Sequence, residues 1–201
     1  LTDAMDDLLI GHSSWFSYAA MLRVYKHYDL RFGGGASPMP RSSFSRYPGI
    51  VMSFDDFYLT SSAAPDESGG GGGGGAALAM TQTTNGIYNR SLYELVRPES
   101  LPSWVRVRVA NALATGGAAW AVIVARHGAG PYLHQSPALR AGAFSRGRRG
   151  GDALAPDTLW VVEQIPGTVV AADATPMLAL GYWPSFNVPY FDEIYDRSGY
   201  A

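Results

Sequence analysis

The chain has 201 residues, of which 47% are apolar and 16% are charged, and its formal net charge at pH 7 is −2. These values are typical of one folded domain with a substantial core, and they exclude a disordered chain and a general attraction to nucleic acid. The sequence has no cysteine, which excludes disulfides and a cysteine nucleophile within these residues, and its four histidines lack the HExxH spacing of a zinc site.

The chain opens with an apolar triplet at residues 8–10 that fits a short buried strand and ends at a polar cluster headed by His12. From Trp15 onward, apolar residues recur at steps of three and four, so the spacing predicts a helix over residues 15–28. A histidine between a strand and a helix is a common position for catalysis, although a structural hydrogen bond is the more frequent role. Both interpretations of His12 stay open at this point.

The next region combines a predicted loop with a predicted hairpin. Residues 33–46 are rich in Gly, Pro and Ser, which predicts a loop, and a Tyr-Pro-Gly turn follows it. Residues 50–54 and 57–60 have strand character on either side of Asp55 and Asp56, which we interpret as a hairpin turn. The alternative is that one of these carboxylates orients a residue of the site.

Residues 63–77 contain seven consecutive glycines, which indicates a flexible insertion rather than a phosphate-binding loop, because no Lys-Ser/Thr follows. A strand is predicted at residues 78–84, and an Asn-Gly turn signal ends it. Asn89 begins an Asn-Arg-Ser tripeptide, the acceptor pattern for N-glycosylation. We therefore predict a glycan on Asn89, on a surface loop.

The second half of the sequence has the patterns of two helices, a hairpin and an aromatic tail. Helices are predicted at residues 103–113 and at 118–126, the latter buried on most sides. Residues 136–156 alternate Arg, Gly and Ala without an apolar period, which indicates a solvated loop. A hairpin turning at a Pro-Gly pair follows, and the Pro-rich tail at 181–200 is expected to run extended and cover the sheet edge. The pattern predicts an α+β fold with antiparallel strands at both ends of the chain and helices between them.

Several blocks of sequence resemble the phospholipase B-like (lamina ancestor) family and occur in the family's order. They are spread over most of the chain, apart from the glycine insertion and residues 136–156. The blocks are LLIGHSSW at 8–15, SRYPG at 45–49, SFDDFY at 53–58, QTT at 82–84, VRP at 96–98, VEQIPG at 162–167 and YWPSFNVP at 182–189.

The resemblance implies an N-terminal-nucleophile hydrolase with an αββα sandwich, in which two antiparallel sheets lie between helical layers. Members are secreted or lysosomal glycoproteins made as precursors, which cleave themselves to expose a cysteine at the start of the larger chain. That cysteine attacks an acyl carbonyl, with its own α-amino group as base. The implied substrates are glycerophospholipid acyl esters, the implied partner is the N-terminal chain of the same precursor, and no cofactor, nucleic acid or transmembrane segment is expected.

The chain departs from the family in two places. The nucleophile is expected a few residues before Leu1, so this chain is interpreted as a partial domain that hydrolyses nothing alone and whose folding alone is in question. Residues 132–136 read Tyr-Leu-His-Gln-Ser where the family has Tyr-Asn-Asn-Gln-Trp. This change predicts the loss of an amide donor and of a strand, and we hypothesise that residues 136–156 arise from a misassigned splice junction.

The resemblance also assigns roles to the candidate site residues. His12 is expected to face the cleft and to donate to the oxyanion or orient the substrate, while Trp15 and Trp183 are candidates for an acyl-chain pocket, with core packing as their alternative. Two alternative functions stay open: an amidase of the same fold, and a non-catalytic lipid-binding glycoprotein. The catalytic candidates are His12, Asp56, Thr84 and Asn187.

Overall fold

The computed structural model describes residues 1–2, 6–13, 17–20, 22–30, 41–53, 57–61, 77–128, 134–148 and 150–201. Its strands are β1 Val24–Tyr28, β2 Arg41–Arg46, β3 Phe57–Ser61, β4 Ala77–Thr81, β5 Thr83–Thr84, β6 His134–Arg140, β7 Leu159–Ile165 and β8 Thr168–Asp173. Its helices are α1 Ser103–Leu113, α2 Gly117–Ala125, α3 Thr175–Leu178 and α4 Asp192–Ser198, and short 3₁₀ turns occupy Tyr18–Ala20, Arg90–Leu95, Ala141–Ala143 and Gly150–Ala153.

The described strands form one antiparallel sheet in the order β1-β2-β3-β4-β6-β7-β8, with β5 paired to β6 beyond the end of β4. The α1–α2 pair connects β5 to β6 and packs against the sheet. The α+β class is therefore confirmed. Helices α1 and α2 and the β7–β8 hairpin, whose turn uses Gly167 at φ +74°, also agree with the predictions.

Strand β7 shows how the sheet is covered on both faces. Val162 and the partly buried Trp160 join the cluster formed with α1 and α2, whereas Leu159, Val161 and Ile165 pack on the opposite face. Because successive side chains of a strand point to opposite faces, a strand buried on both sides reads as a continuous apolar run. The helix-side core consists of Phe44, Tyr58, Leu78, Met80, Val107, Ala110, Trp120, Ala121, Val124, Ala138 and Val162.

A glycine sets the closest contact between the helices and the sheet. A Cβ placed on Gly117, the first residue of α2, would lie 2.5 Å from the Cβ of Trp160. Real Cβ atoms do not approach that closely, so only glycine lets α2 begin directly over β7. The side chain of Trp160 then donates from Nε1 to Asp157 Oδ1 at 2.9 Å.

The predicted helix over residues 15–28 is wrong over its second half, because residues 24–28 form β1, while residues 14–16 and 21 lie outside the described part. The predicted loop at 33–46 is likewise wrong at 41–46, which form β2. The reason is pairing: β1 and β2 lie side by side in register, with Lys26 opposite the fully buried Phe44. Non-local pairing outweighs local spacing in such strands.

Residues 50–53 are not a strand, so the predicted hairpin around Asp55 and Asp56 is wrong in its first arm, whereas 57–61 form β3 as expected. The carbonyl of Ile50 accepts from Lys26 Nζ at 2.6 Å, and that of Tyr47 also accepts from this ammonium. These carbonyls solvate the buried lysine. Asp55, Asp56 and residues 62–76, which hold most of the glycine insertion, lie outside the described residues.

Residues 8–10 are not a strand either. Leu9 is 73% exposed, and no described strand pairs with this segment. Leu1 and Leu8 instead pack against the second core cluster, which contains Leu139 and Val161. A strand needs a partner for its backbone groups, and no described strand lies beside this triplet, of which only Leu8 packs on the core.

The predicted loss of a strand at residues 136–156 is wrong, because residues 134–140 form β6 between β4 and β7. The predicted solvated loop holds after β6 only at residues 145–148, which are exposed, whereas Ala143, Ala153 and Leu154 are buried. Pro137 is tolerated in this central strand because it lies at the break between β4 and β5, where its missing N–H removes no ladder bond.

The aromatic tail departs from the predicted extended course. It contains α4, which packs on β7 and β8 through the fully buried Ile194 and ends at Gly199 with φ +87°. Acidic residues in the first turn and Arg197 in the last turn complement the helix dipole. No helix in the described part of the chain is long and apolar enough to cross a membrane.

Candidate functional site

Three of the predicted catalytic residues have contacts around β5. His12 Nε2 lies 2.8 Å from the carbonyl oxygen of Gln82, the residue between β4 and β5. Asn187 Nδ2 donates to the carbonyl of Thr84 at 2.7 Å. Two segments far apart in sequence, one at the N-terminus and one in the tail, therefore meet this short strand; we call His12, Gln82, Thr84 and Asn187 the β5 cluster.

The contact of His12 defines which ring nitrogen carries a proton. A carbonyl oxygen only accepts, so Nε2 of His12 must donate to Gln82. In the neutral ring, Nδ1 is then the acceptor, and the side chain is exposed rather than locked in the core. In this tautomer Nδ1 can accept a further hydrogen bond.

Asn187 is held in an uncommon backbone conformation. Its φ is +60°, in the left-handed region that residues with a Cβ adopt seldom. The side chain bonds the Thr84 carbonyl, and the hydroxyl of Tyr200 donates to the Asn187 carbonyl at 3.2 Å. Asparagine adopts this region more readily than other residues with a Cβ, and these two bonds fix Asn187 in it.

The other predicted site residues lie elsewhere. Asp56 and Trp15 fall outside the described residues. Trp183 is partly buried in the second core cluster and makes an edge-to-face contact with Tyr190, with ring centroids 5.6 Å apart. Core packing is thus a role that Trp183 fulfils in this structure.

Asn89 is exposed at the N-cap of the 3₁₀ turn Arg90–Leu95. Its side-chain oxygen accepts from the backbone N–H of Ser91 at 3.3 Å, and Nδ2 donates to the carbonyl of Arg197 at 3.2 Å. The surface position that glycosylation requires is therefore present.

Next to the β5 cluster lies a buried carboxylate that was not predicted from the sequence. Glu163 on β7 has no exposed surface. Its Oε1 accepts from Gln135 Nε2 at 2.6 Å and Asn85 Nδ2 at 3.3 Å, and also from the backbone N–H of Tyr190 at 2.8 Å; Oε2 accepts from Phe191 N at 2.9 Å. Among the ion pairs of the described residues, none involves Glu163.

The Glu163 network fixes the tail beside β5. Both backbone donors belong to the segment that enters α4, immediately after Asn187. Gln135, which lies opposite Thr83 in the sheet, also donates to the carbonyl of Val188 at 3.3 Å. Glu163 thus acts as a positioning residue for the tail, and its only sequence signal was an acidic residue inside an apolar strand run.

The described residues contain no group of three or more His, Cys, Asp or Glu side chains placed to hold a metal ion. The donors of the β5 cluster are an imidazole N–H, a hydroxyl and amide N–H groups. Such groups orient a neutral acyl group and stabilise a developing negative charge through hydrogen bonds. The arrangement can therefore assist acyl transfer once a nucleophile is supplied.

Comparison with known proteins gave consistent matches. The family model described as Phospholipase B matches residues 1–201. Phospholipase B-like 1 of Homo sapiens is 42% identical over 195 residues, and Phospholipase B of Crotalus adamanteus is 41% identical over 196 residues; each match covers 97–98% of this chain and 32% of the relative. Phospholipase B-like protein B of Dictyostelium discoideum is 38% identical over 201 residues, again 32% of its length. The chain spans about a third of the length of these relatives.

Proposed function

Because the chain belongs to the phospholipase B family, we propose that it forms part of a hydrolase that removes acyl chains from glycerophospholipids. The observation that supports this proposal most is the convergence of His12, Thr84 and Asn187 at one short strand. The names of the relatives support a lipid substrate, and the neutral donors of the β5 cluster suit an ester carbonyl.

In the proposed reaction, a cysteine contributed by the longer precursor attacks the acyl carbonyl and forms a thioester, while the alcohol oxygen of the lysophospholipid or of the glycerophosphodiester leaves with a proton. Water then attacks the thioester, releases the fatty acid and regenerates the thiol. The α-amino group of that cysteine serves as base in both steps. The N-terminal chain of the same precursor is the proposed partner.

Within this scheme, the β5 cluster supplies hydrogen bonds to the oxyanion. Asn187 uses one amide hydrogen on Thr84, and the second can reach toward a substrate. His12 would exchange its bond to Gln82 for one to the developing oxyanion or the leaving oxygen. We also propose that Asp56 orients one of these donors, and that Trp15 and Trp183 border the acyl chain.

We further propose that the described sheet is one of the two sheets of an N-terminal-nucleophile αββα sandwich. The face of β1–β3 that points away from α1 and α2 supports this idea, because Tyr25 is 51% exposed and Leu59 is 43% exposed there. A second sheet would cover these side chains. The exposed Asn89 suits a glycan, so we propose a secreted or lysosomal glycoprotein.

The test is deacylation of phosphatidylcholine by the complete precursor after processing, beside a matched N-acyl amide. Release of fatty acid from the ester at the higher rate supports the proposal, while a higher rate on the amide indicates an amidase of the same fold. Lipid binding without either reaction would indicate the non-catalytic alternative. The 201-residue chain alone is expected to hydrolyse neither compound.

A further inference from the structure

The helix side of the sheet contains a small cavity around a buried arginine. Its volume is about 30 Å³, enough for about two water molecules. Apolar side chains from the sheet and from α1 and α2 form most of its wall, and Arg106, His134 and Gln164 are among its polar lining residues. This cavity lies on the opposite face of β7 from Glu163.

Arg106 brings an uncompensated charge to this cavity. The residue is 3% exposed, and its described bonds are to the carbonyls of Leu101 and Val124 and to Gln164 Oε1 at 2.8 Å. These acceptors are neutral, and none of the ion pairs among the described residues involves Arg106. Burial lowers the pKa of its guanidinium, yet arginine remains charged in proteins. A buried cation ordinarily has a counter-charge.

The cavity is also lined by nitrogen donors that have no described acceptor. Arg106 has only donors, so Gln164 must turn its oxygen toward it, and this orientation leaves Gln164 Nε2 buried without a partner in the described structure. None of the three arginine bonds uses Nη2. Two nitrogen donors from neighbouring side chains are therefore available beside a positive charge.

We propose that this cavity binds one small monovalent anion, with chloride as its representative. An ion of that size fits the volume, accepts from Arg106 and Gln164 together, and neutralises the guanidinium in a site with apolar walls. Water would fill the same space but would leave the charge uncompensated. Burial lowers the pKa of His134 to about 3, so its neutral ring adds no second positive charge.

Chloride-dependent stability tests this site. We expect the melting temperature of the chain to be higher in sodium chloride than in sodium gluconate at equal ionic strength by roughly 2–4 °C, because a ligand that binds only the folded state stabilises it. Arg197→Met, which removes an exposed arginine paired with Glu193, is the control and should keep the full chloride effect. Equal melting temperatures of the unmodified chain in the two salts would overturn the proposal.

Gln164→Glu provides a second variant that retains the fold. The new carboxylate keeps the acceptor at Arg106 and replaces the unpartnered nitrogen by a negative oxygen, so the protein carries its own counter-charge. We expect this variant to lose the chloride effect and to melt higher than the unmodified chain in gluconate. An undiminished chloride effect would contradict the assignment. In bromide-soaked crystals, anomalous scattering should place one bromide beside Arg106, and water alone there would also reject the site.

Discussion

The two faces of β7 each pack against a buried charged side chain: Glu163 on one face, and on the other Arg106, which bonds the adjacent Gln164. The protein solvates these two charges in different ways. Glu163 on the tail side receives four hydrogen bonds, two from amide side chains and two from backbone N–H groups. Arg106, which bonds Gln164 on the helix side, is bound by neutral acceptors and leaves donors unmatched beside a cavity. The protein supplies every described hydrogen bond of Glu163, whereas the cavity beside Arg106 leaves room for a ligand.

The comparison indicates what each charge does for the fold. The Glu163 carboxylate joins β6 and β7 to the segment that enters α4, so its bonds hold the tail that carries Asn187. Arg106 joins α1 to α2 and to β7. One charge therefore orders a functional loop and the other joins the helical layer to the sheet.

The largest expected effect is on the tail side. Glu163→Ala would remove the acceptor of four hydrogen bonds, and we expect it to lower the free energy of unfolding by about 3–5 kcal/mol. Denaturant unfolding measures this loss. Glu193→Ala, which removes an exposed glutamate paired with Arg197, is the matched control and should cost less than about 1 kcal/mol. Equal losses in the two variants would show that the network does not fix the tail.

A packing change probes the helix side. Gly117→Ala places a methyl group 2.5 Å from the Cβ of Trp160, so α2 must shift away from β7. We expect a loss of about 1–3 kcal/mol in the free energy of unfolding. Gly116→Ala is the control, because a Cβ there meets no atom within 4 Å. Similar stabilities of the two variants would mean that α2 does not pack closely on β7.

At neutral pH the smallest expected effect is the pH dependence contributed by His134. Burial lowers its pKa in the folded state to about 3, below the 6.5 of the ordinary side chain. As the pH falls below about 6.5 the unfolded chain takes up this proton before the folded chain does, so stability is lost between about pH 6.5 and 3. The slope should stay below about 1.4 kcal/mol per pH unit.

His134→Gln isolates that contribution. The difference in unfolding free energy between the unmodified chain and this variant should be constant above about pH 6.5 and should shrink as the pH falls below it. A difference independent of pH from 7 down to 4 would indicate that the ring is solvated and that the cavity is wetter than its apolar lining implies.

The sequence predicted the elements whose signal is local. Helix α1 has the predicted bounds because its apolar residues and breakers define it, and the β7–β8 hairpin follows from two apolar runs joined at Gly167. The strand β1 was misassigned because its Tyr25 continues a helical spacing, whereas the pairing with β2 that determines its structure is not local. The small and charged residues of β6 likewise concealed a central strand.

The candidate site was predicted only where a family block marked it. His12, Thr84 and Asn187 came from such blocks, but their meeting at β5 depends on contacts across 70 or more residues of sequence. Glu163 belonged to a block as well. A lone acidic residue in a strand, however, does not reveal which face of the sheet is buried or which segment packs on it. Its role follows from the tail, which supplies two of its four donors.

The proposed function depends most directly on whether the β5 cluster takes part in hydrolysis. The measurement is the rate of phosphatidylcholine deacylation by the processed full-length protein carrying His12→Ala, beside the control His27→Ala, which removes an exposed histidine of β1 bonded to Ser43. Loss of one oxyanion donor is expected to lower kcat by about 10²–10³-fold for His12→Ala while His27→Ala retains the unmodified rate. Equal rates in all three proteins would contradict the account.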